Sequence, residues 1–309
     1  MIKSRITYAP VCLFVFNRLA HTQKTVDALK ENILAPDSDL YIYSDAPKKN
    51  SSTIASDDVR AYIKTISGFK SVTIKERKMN FGLSKSIITG VTEILKKHKK
   101  IIVLEDDMIS SKFFLKFMND SLDFYKNEDS VASIHGYSIP GKYDTNTFFL
   151  RGADCWGWAT WEDRWPMFET DGKKLYEGLS QRNLLKEFNF KSPGFFSGML
   201  LDQVRGNNDS WAIRWSASVF LHNKLTLYPS YSLINNIGND GSGVHCEDNN
   251  VYDDVYDDYI DINNKNIVES VNARKIYEKH FRKISGGLVQ RIKYKVPSGV
   301  KKLIKNILK

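Results

Sequence analysis

Cysteine is scarce in this 309-residue chain: Cys12, Cys155 and Cys246 are odd in number, far apart and outside any Cys-X-X-Cys pair. That excludes a disulfide framework and a thiolate zinc site, and it points to a reducing, cytoplasmic setting. Long apolar runs are missing as well. The run near the start, Val11 to Phe16, ends in Asn17-Arg18 and is too short for a signal peptide's core and cleavage site. No stretch approaches the roughly 20 apolar residues of a membrane span, so a soluble or peripheral protein is expected. Internal repetition is limited to the echo Val251-Tyr-Asp-Asp-Val-Tyr-Asp-Asp258. Acidic residues are absent from residues 280–309, which carry nine Lys and Arg; these nine account for the whole net charge of +9 and leave residues 1–279 neutral. A question about an anionic partner is therefore a question about the tail.

What is present reads as an ordinary globular chain, 42% hydrophobic and 26% charged, long enough for two domains or one large one. Residues 10–16 form a buried-strand run, and Thr22 is placed to cap a helix carrying Val26, Leu29 and Ile33. Leu40 to Tyr43 and Val72 to Ile74 predict two further strands. Ser84 is placed to cap a helix whose Ile87, Ile88, Val91, Ile94 and Leu95 recur at helical spacing and whose end, Lys96 to Lys100, suits the negative pole of the helix dipole. The continuous run Ile101-Ile102-Val103-Leu104 then resembles a central parallel strand. This alternation implies βαβ units and an open α/β sheet.

Glu105-Asp106-Asp107 follows that strand directly. Ligands of open parallel sheets collect outside the carboxyl ends of the strands, and clustered carboxylates there become favourable around a divalent cation such as Mg²⁺ or Mn²⁺. The competing reading is a cap for a following helix over residues 111–125, which needs one carboxylate rather than three. Six tryptophans fall between Trp156 and Trp215, a segment suited either to apolar core or to stacking on sugar rings. The glycine loop Gly238 to His245 can bring backbone N–H groups to a diphosphate. The acidic run from Glu247 to Asp261 lacks the ligand spacing of a calcium loop and reads as a solvated loop.

Taken in order, Pro10 to Arg18, Ser44-Asp45, Asn80 to Lys85, Val103 to Asp107, Trp156-Gly-Trp158, Leu201 to Arg205 and Gly241 to His245 resemble the bacterial family-2-like glycosyltransferases of GT-A fold. They are also similar to the animal N-acetylglucosaminyltransferases that initiate complex N-glycans. The resemblance covers roughly residues 10–246. It implies a Rossmann-like mixed open sheet flanked by helices, with a donor half over residues 1–110 and an acceptor half over 111–265. It implies a metal-dependent, inverting transfer of a hexosyl or N-acetylhexosaminyl group from a nucleotide diphosphate sugar, with uridine as the base, to a lipid-linked or cell-surface polysaccharide such as lipopolysaccharide or capsule. Arg18 and Asp45 would hold the nucleotide, with Asp45 accepting a hydrogen bond from uracil. Lys85 would face the base or diphosphate, Asp106 the ribose and Glu105 the donor sugar. From the residues themselves, Ser242 adds a hydroxyl donor toward a diphosphate, and Trp158 and Trp161, preceded by Arg151 and Asp154, fit a wall around donor sugar and acceptor. Asp107 would bind Mn²⁺ or Mg²⁺, with His245 as a second ligand. Asp202 would be the general base, with Asp209 and Asp154 behind it, although pairing of Asp202 with Arg205 three residues on is an equal alternative. Sugar nucleotidyltransferase chemistry and a non-catalytic glycan or membrane module are the other classes open to the sequence.

Residues 266–309 read as a basic, helical tail. After Pro297, Val300, Leu303, Ile304, Ile307 and Leu308 form an apolar stripe with lysines on the other faces. Such a helix over 288–309 suits an anionic membrane surface, which predicts a peripheral protein on the inner face of the cell membrane. Packing on the protein's own body is the alternative. Nucleic acid is not expected, because no aromatics interleave the basic cluster.

Overall fold

The apolar runs of the first third pair side by side. The computed structural model describes residues 7–238, 255–263 and 266–285. Here β1 (Val11–Val15), α1 (Leu19–Lys30), β2 (Asp39–Ser44), α2 (Ile54–Ile63), β3 (Ser71–Glu76), α3 (Leu83–His98) and β4 (Lys100–Glu105) alternate. The four strands stand in the order β3-β2-β1-β4 and run parallel. All five residues of β1 are buried, as an apolar run between two neighbours requires.

The chain continues through β5 (Met108–Ser110), α4 (Phe114–Phe124), β6 (Val131–His135), β7 (Thr147–Arg151) and β8 (Trp158–Trp161). It then runs through α5 (Gly172–Gln181), α6 (Leu185–Phe188), α7 (Phe195–Val204), α8 (Trp211–Leu221), β9 (Leu225–Pro229), β10 (Ile234–Asn236) and α9 (Val271–Ser285). β8 extends the sheet antiparallel to β4, and the full order is β3-β2-β1-β4-β8-β6-β9-β7. β10 and β5 form a separate antiparallel ribbon. The α/β class with a mixed open sheet flanked by helices agrees with the expectation from sequence.

Two apolar layers enclose the sheet. One combines Val26 and Leu29 of α1, Val59 and Ile63 of α2, Phe114 and Phe117 of α4, and Tyr277 of α9. The other combines Ile87, Val91 and Ile94 of α3 with Trp211, Trp215 and Val219 of α8. A satellite cluster joins α5, α7 and the outer side of α8.

Two expected caps are corrected. α1 begins at Leu19 with Arg18 at the cap position, and Thr22 lies inside the helix, its hydroxyl donating to the Arg18 carbonyl at 2.9 Å. Ile33 falls beyond this helix and is exposed. α3 is preceded by Gly82 at φ 72°, a left-handed value that glycine adopts without strain. Ser84 sits one residue inside, and its hydroxyl accepts from Arg214 of α8 at 2.6 Å. Residues 266–285, placed with the tail by sequence, are tied to the body: Glu269 bridges to Phe149, and Ala273 and Tyr277 of α9 are buried. The expected helix after Pro297 lies outside the described residues. Among the described residues no helix is long and apolar enough to cross a membrane.

Candidate active site

β1 has β2 on one side and β4 on the other, so the connections leave it in opposite directions and open a crevice at the carboxyl ends of the strands. Arg18 follows β1, and Glu105-Asp106-Asp107 ends β4. Register places Phe14 against Glu105, which brings the two strand ends level.

The side chains meet there. Arg18 Nη2 donates to Asp106 Oδ1 and, at 2.8 Å, to Asp107 Oδ2. Asp106 and Asp107 are buried, and among the described residues Asp107 Oδ1 has no hydrogen-bond partner. Burial opposes the charge on Arg18, but the two aspartates outweigh it and raise its pKa above the ordinary value. Burial raises the Asp106 carboxyl although Arg18 pulls it down. Burial, then the charges of Asp107 and Asp106, push the Glu105 carboxyl up to about 8, partly offset by Arg18 and a hydrogen bond from Trp211. One guanidinium thus stands against a cluster of acids. Thr25 of α1 fixes the turn: its hydroxyl donates to the Asp106 carbonyl at 2.9 Å and accepts from Met108 N–H at 3.1 Å.

The late glycine loop starts against the same group. β10 pairs with β5 immediately after the triplet, and the Ile237 amide donates to the Asp107 carbonyl at 2.9 Å. A Cβ at Gly238 would stand 2.2 Å from Asp107 Oδ2, so glycine lets the chain pass there without displacing the carboxylate. Ser242 and His245 lie outside the described residues.

Other expected site residues are placed differently. Asp45 accepts from the amides of Ala46, Phe81 and Gly82 and from Asn80 Nδ2, at 2.8–3.2 Å. A carboxylate has about four lone-pair sites, so the expected acceptor for uracil is already filled by the chain's own donors. Lys85 is exposed in the first turn of α3, with its Nζ 4.4 Å from the centre of the Phe81 ring. Trp158, expected beside the donor sugar, is 0% exposed. It packs against Trp165, Trp211 and Trp215 with ring centres 5.4–5.9 Å apart, so this reading is corrected to core. Asp202 faces Arg205 at 3.9 Å and accepts from Asn207 at 3.2 Å, both on its own segment. Asp209 pairs with the buried Arg214 at 2.8 Å. Asp257 of the acidic run pairs with Lys112 at 2.7 Å.

Sequence reasoning missed Thr25, Trp211 and the reason for Gly238. Thr25 and Trp211 act across long separations that leave no local pattern. The glycine was visible as a loop residue, but its neighbour Asp107 was not.

Among the described residues no three His, Cys, Asp or Glu side chains gather to hold a metal. Mg²⁺ commonly takes only one or two protein carboxylates beside substrate phosphates, and octahedral oxygen sites also suit Mn²⁺. Asp107, with its buried, unpartnered oxygen, fits such a role.

No family model and no curated protein matches the chain. Solved structures match part of it. One is a mannosyltransferase, PcManGT, from Pyrobaculum calidifontis in complex with GDP-Man and Mn²⁺, at 14% identity and TM-score 0.33, covering 43% of this chain and 37% of that one. Another is TarS from S. aureus, at 13% identity and TM-score 0.33, covering 46% and 24%. TarS 1–349 with UDP-GlcNAc aligns at 12% identity and TM-score 0.33, covering 46% and 39%. The aligned part is therefore less than half of each of these structures.

Proposed function

We propose that this protein is a GT-A-type, metal-dependent, inverting glycosyltransferase. It moves a sugar from a nucleotide diphosphate sugar, a UDP-sugar first among them, to a lipid-linked or cell-surface glycan. The observation that carries this reading is the meeting of Arg18 and the acidic triplet at the reversal of strand order, where Asp107 keeps a buried oxygen without a partner among the described residues. The likeness of the sequence in its ordered motifs supports it.

Asp107 would hold Mn²⁺ or Mg²⁺, which would neutralise charge on the departing diphosphate. Arg18, at the N-cap of α1, has the charge and the position to bind that diphosphate, aided by the positive end of the helix dipole. Glu105, whose carboxyl burial pushes up, would face the donor sugar, while Asp106 takes the ribose. Asp45 positions Phe81 and Gly82 beside the nucleotide rather than touching the base. Lys85 lies next to that loop, and Ser242 and His245 belong to the segment that starts at Gly238. In the transfer the acceptor oxygen bonds to the anomeric carbon and its proton passes to a base. The bond from that carbon to the diphosphate oxygen breaks, with the electron pair leaving on the diphosphate. Asp202 is the base proposed from sequence; near-normal turnover of Asp202→Asn would remove it. The donor and acceptor halves meet between β4 and β8, and residues 288–309 would hold the enzyme on an anionic membrane.

A panel of nucleotide sugars tested for Mn²⁺-dependent thermal stabilisation decides the matter. A ligand at 100 times its dissociation constant adds about 2.7 kcal/mol, a shift of several degrees. Absence of any shift across the panel overturns the proposal, and release of pyrophosphate instead of nucleoside diphosphate moves it to nucleotidyl transfer.

A further inference from the structure

Behind the acidic triplet the structure holds a cavity of about 110 Å³ that the donor reading does not use. Its walls come from the last residue of β7 (Arg151) and the segment after it (Asp154, Cys155), from α7 (Phe196, Met199) and from α8 (Ala212, Ile213, Ser216). Tyr228 of β9 and Tyr277 and Phe281 of α9 close it. We infer that this cavity is the subsite for the terminal sugar ring of the acceptor, with Asp154 accepting a hydrogen bond from one of its hydroxyls.

Adjacency is the first argument. Trp211 stacks on Trp158, which pairs with Val103 two residues before Glu105, and the next two residues of the same helical turn, Ala212 and Ile213, line the cavity. On the other side, β8 pairs antiparallel with β4 and sets Trp158 against Val103, so the preceding segment from Asp154 to Gly157 runs past the end of β4 that carries Glu105. The charges of Asp154, Glu105 and Asp107 all act on the Cys155 thiol, whose pKa burial raises first of all. A ligand in the cavity therefore stands next to the donor site.

Chemistry is the second. The walls include the aromatic residues Phe196, Tyr228, Tyr277 and Phe281, and among the described lining residues Asp154 is the one carboxylate. Asp154 Oδ1 accepts from the Cys155 amide at 2.8 Å. A lipid chain or other purely apolar occupant would desolvate this carboxylate without replacing water's hydrogen bonds, a costly exchange. A pyranose matches both features, because its C–H face stacks on aromatic rings while its hydroxyls donate to an acid. The volume suits one ring rather than a run of chain.

The site is an acceptor site only if the donor reading holds, so the test separates the two. Wild type, Asp154→Asn and the cavity-filling Met199→Trp are compared with Mn²⁺ and the stabilising nucleotide. Thermal shift reports the nucleotide, and saturation-transfer NMR reports the n-octyl glycosides of glucose, galactose, mannose and N-acetylglucosamine. The expected result is unchanged nucleotide binding in all three proteins. At least one glycoside binds wild type, about tenfold more weakly to Asp154→Asn and not detectably to Met199→Trp. Glycoside binding that survives both substitutions, or no glycoside binding to wild type, overturns the subsite. Failure of every nucleotide overturns the donor reading instead. Loss of nucleotide binding in Met199→Trp alone identifies misfolding, and Asp154→Asn then decides.

Discussion

Asp45 and Asp107 occupy corresponding places, each beyond the carboxyl end of a parallel strand and each buried. The end of β2 is closed: Asp45 has a donor for every lone-pair site and ties the strand to the loop before α3. The end of β4 is open: Asp107 shares one oxygen with Arg18 and leaves the other without a partner among the described residues. The same residue type serves as a fastening in one place and as an available ligand in the other. The number of donors the fold brings to the carboxylate makes the difference.

Crossed substitutions can break this contrast. Asp107→Asn is expected to lower transfer at least about 100-fold and to remove Mn²⁺-dependent stabilisation by nucleotide, with little change in the urea midpoint of the free protein. Asp45→Asn is expected to do the reverse in kind: a loss of about 1–3 kcal/mol in unfolding free energy, because an amide NH₂ replaces an acceptor facing buried donors. Equal stability losses in the two variants would erase the distinction.

Gly238→Ala sharpens it from the side of the loop. The added methyl meets Asp107 Oδ2, so the loop must withdraw. Nucleotide binding with Mn²⁺, followed by calorimetry, should weaken about tenfold, or about 1.4 kcal/mol. Wild-type affinity would show that the approach of the loop to Asp107 has no part in binding.

The smallest effect belongs to a third buried group. His135 Nδ1 meets the Tyr137 carbonyl at 2.8 Å, and its Nε2 meets the Trp156 amide at 3.0 Å. One partner accepts and the other donates, which requires a neutral ring with the proton on Nδ1. Burial lowers its pKa below the usual 6.5, although the charge of Asp154 and the bond to Tyr137 act the other way. Below about pH 6.5 the unfolded imidazole takes up a proton that the folded one refuses, so its contribution to stability falls on acidification. The slope is at most about 1.4 kcal/mol per pH unit. Urea titrations from pH 6.5 to 5 should show a shallower dependence in His135→Asn; an unchanged slope would place the acid sensitivity elsewhere.

The strands of the parallel half and the triplet could be read from sequence because each is a local pattern, an apolar run followed by charge. What escaped depends on distant partners. Ser84 looks like a cap until Arg214, 130 residues away, reaches its hydroxyl. Asp45 looks like a ligand until residues 80–82 fill it. Trp158 is equally consistent with a sugar wall or a core, and only the packing of Trp165, Trp211 and Trp215 around it decides. The two-stranded ribbon that carries the late loop to Asp107 is three residues wide on each side, too short for periodicity to reveal.

That tryptophan cluster has an optical consequence. Four indoles with neighbouring ring centres 5.2–5.9 Å apart are close enough for their excited states to couple, and one of them, Trp211, is among the groups that act on the Glu105 carboxyl. The near-ultraviolet circular dichroism of the unlabelled protein should therefore carry an exciton signal that changes when charge arrives at the end of β4. The core of this half acts as a built-in reporter of the crevice beside it.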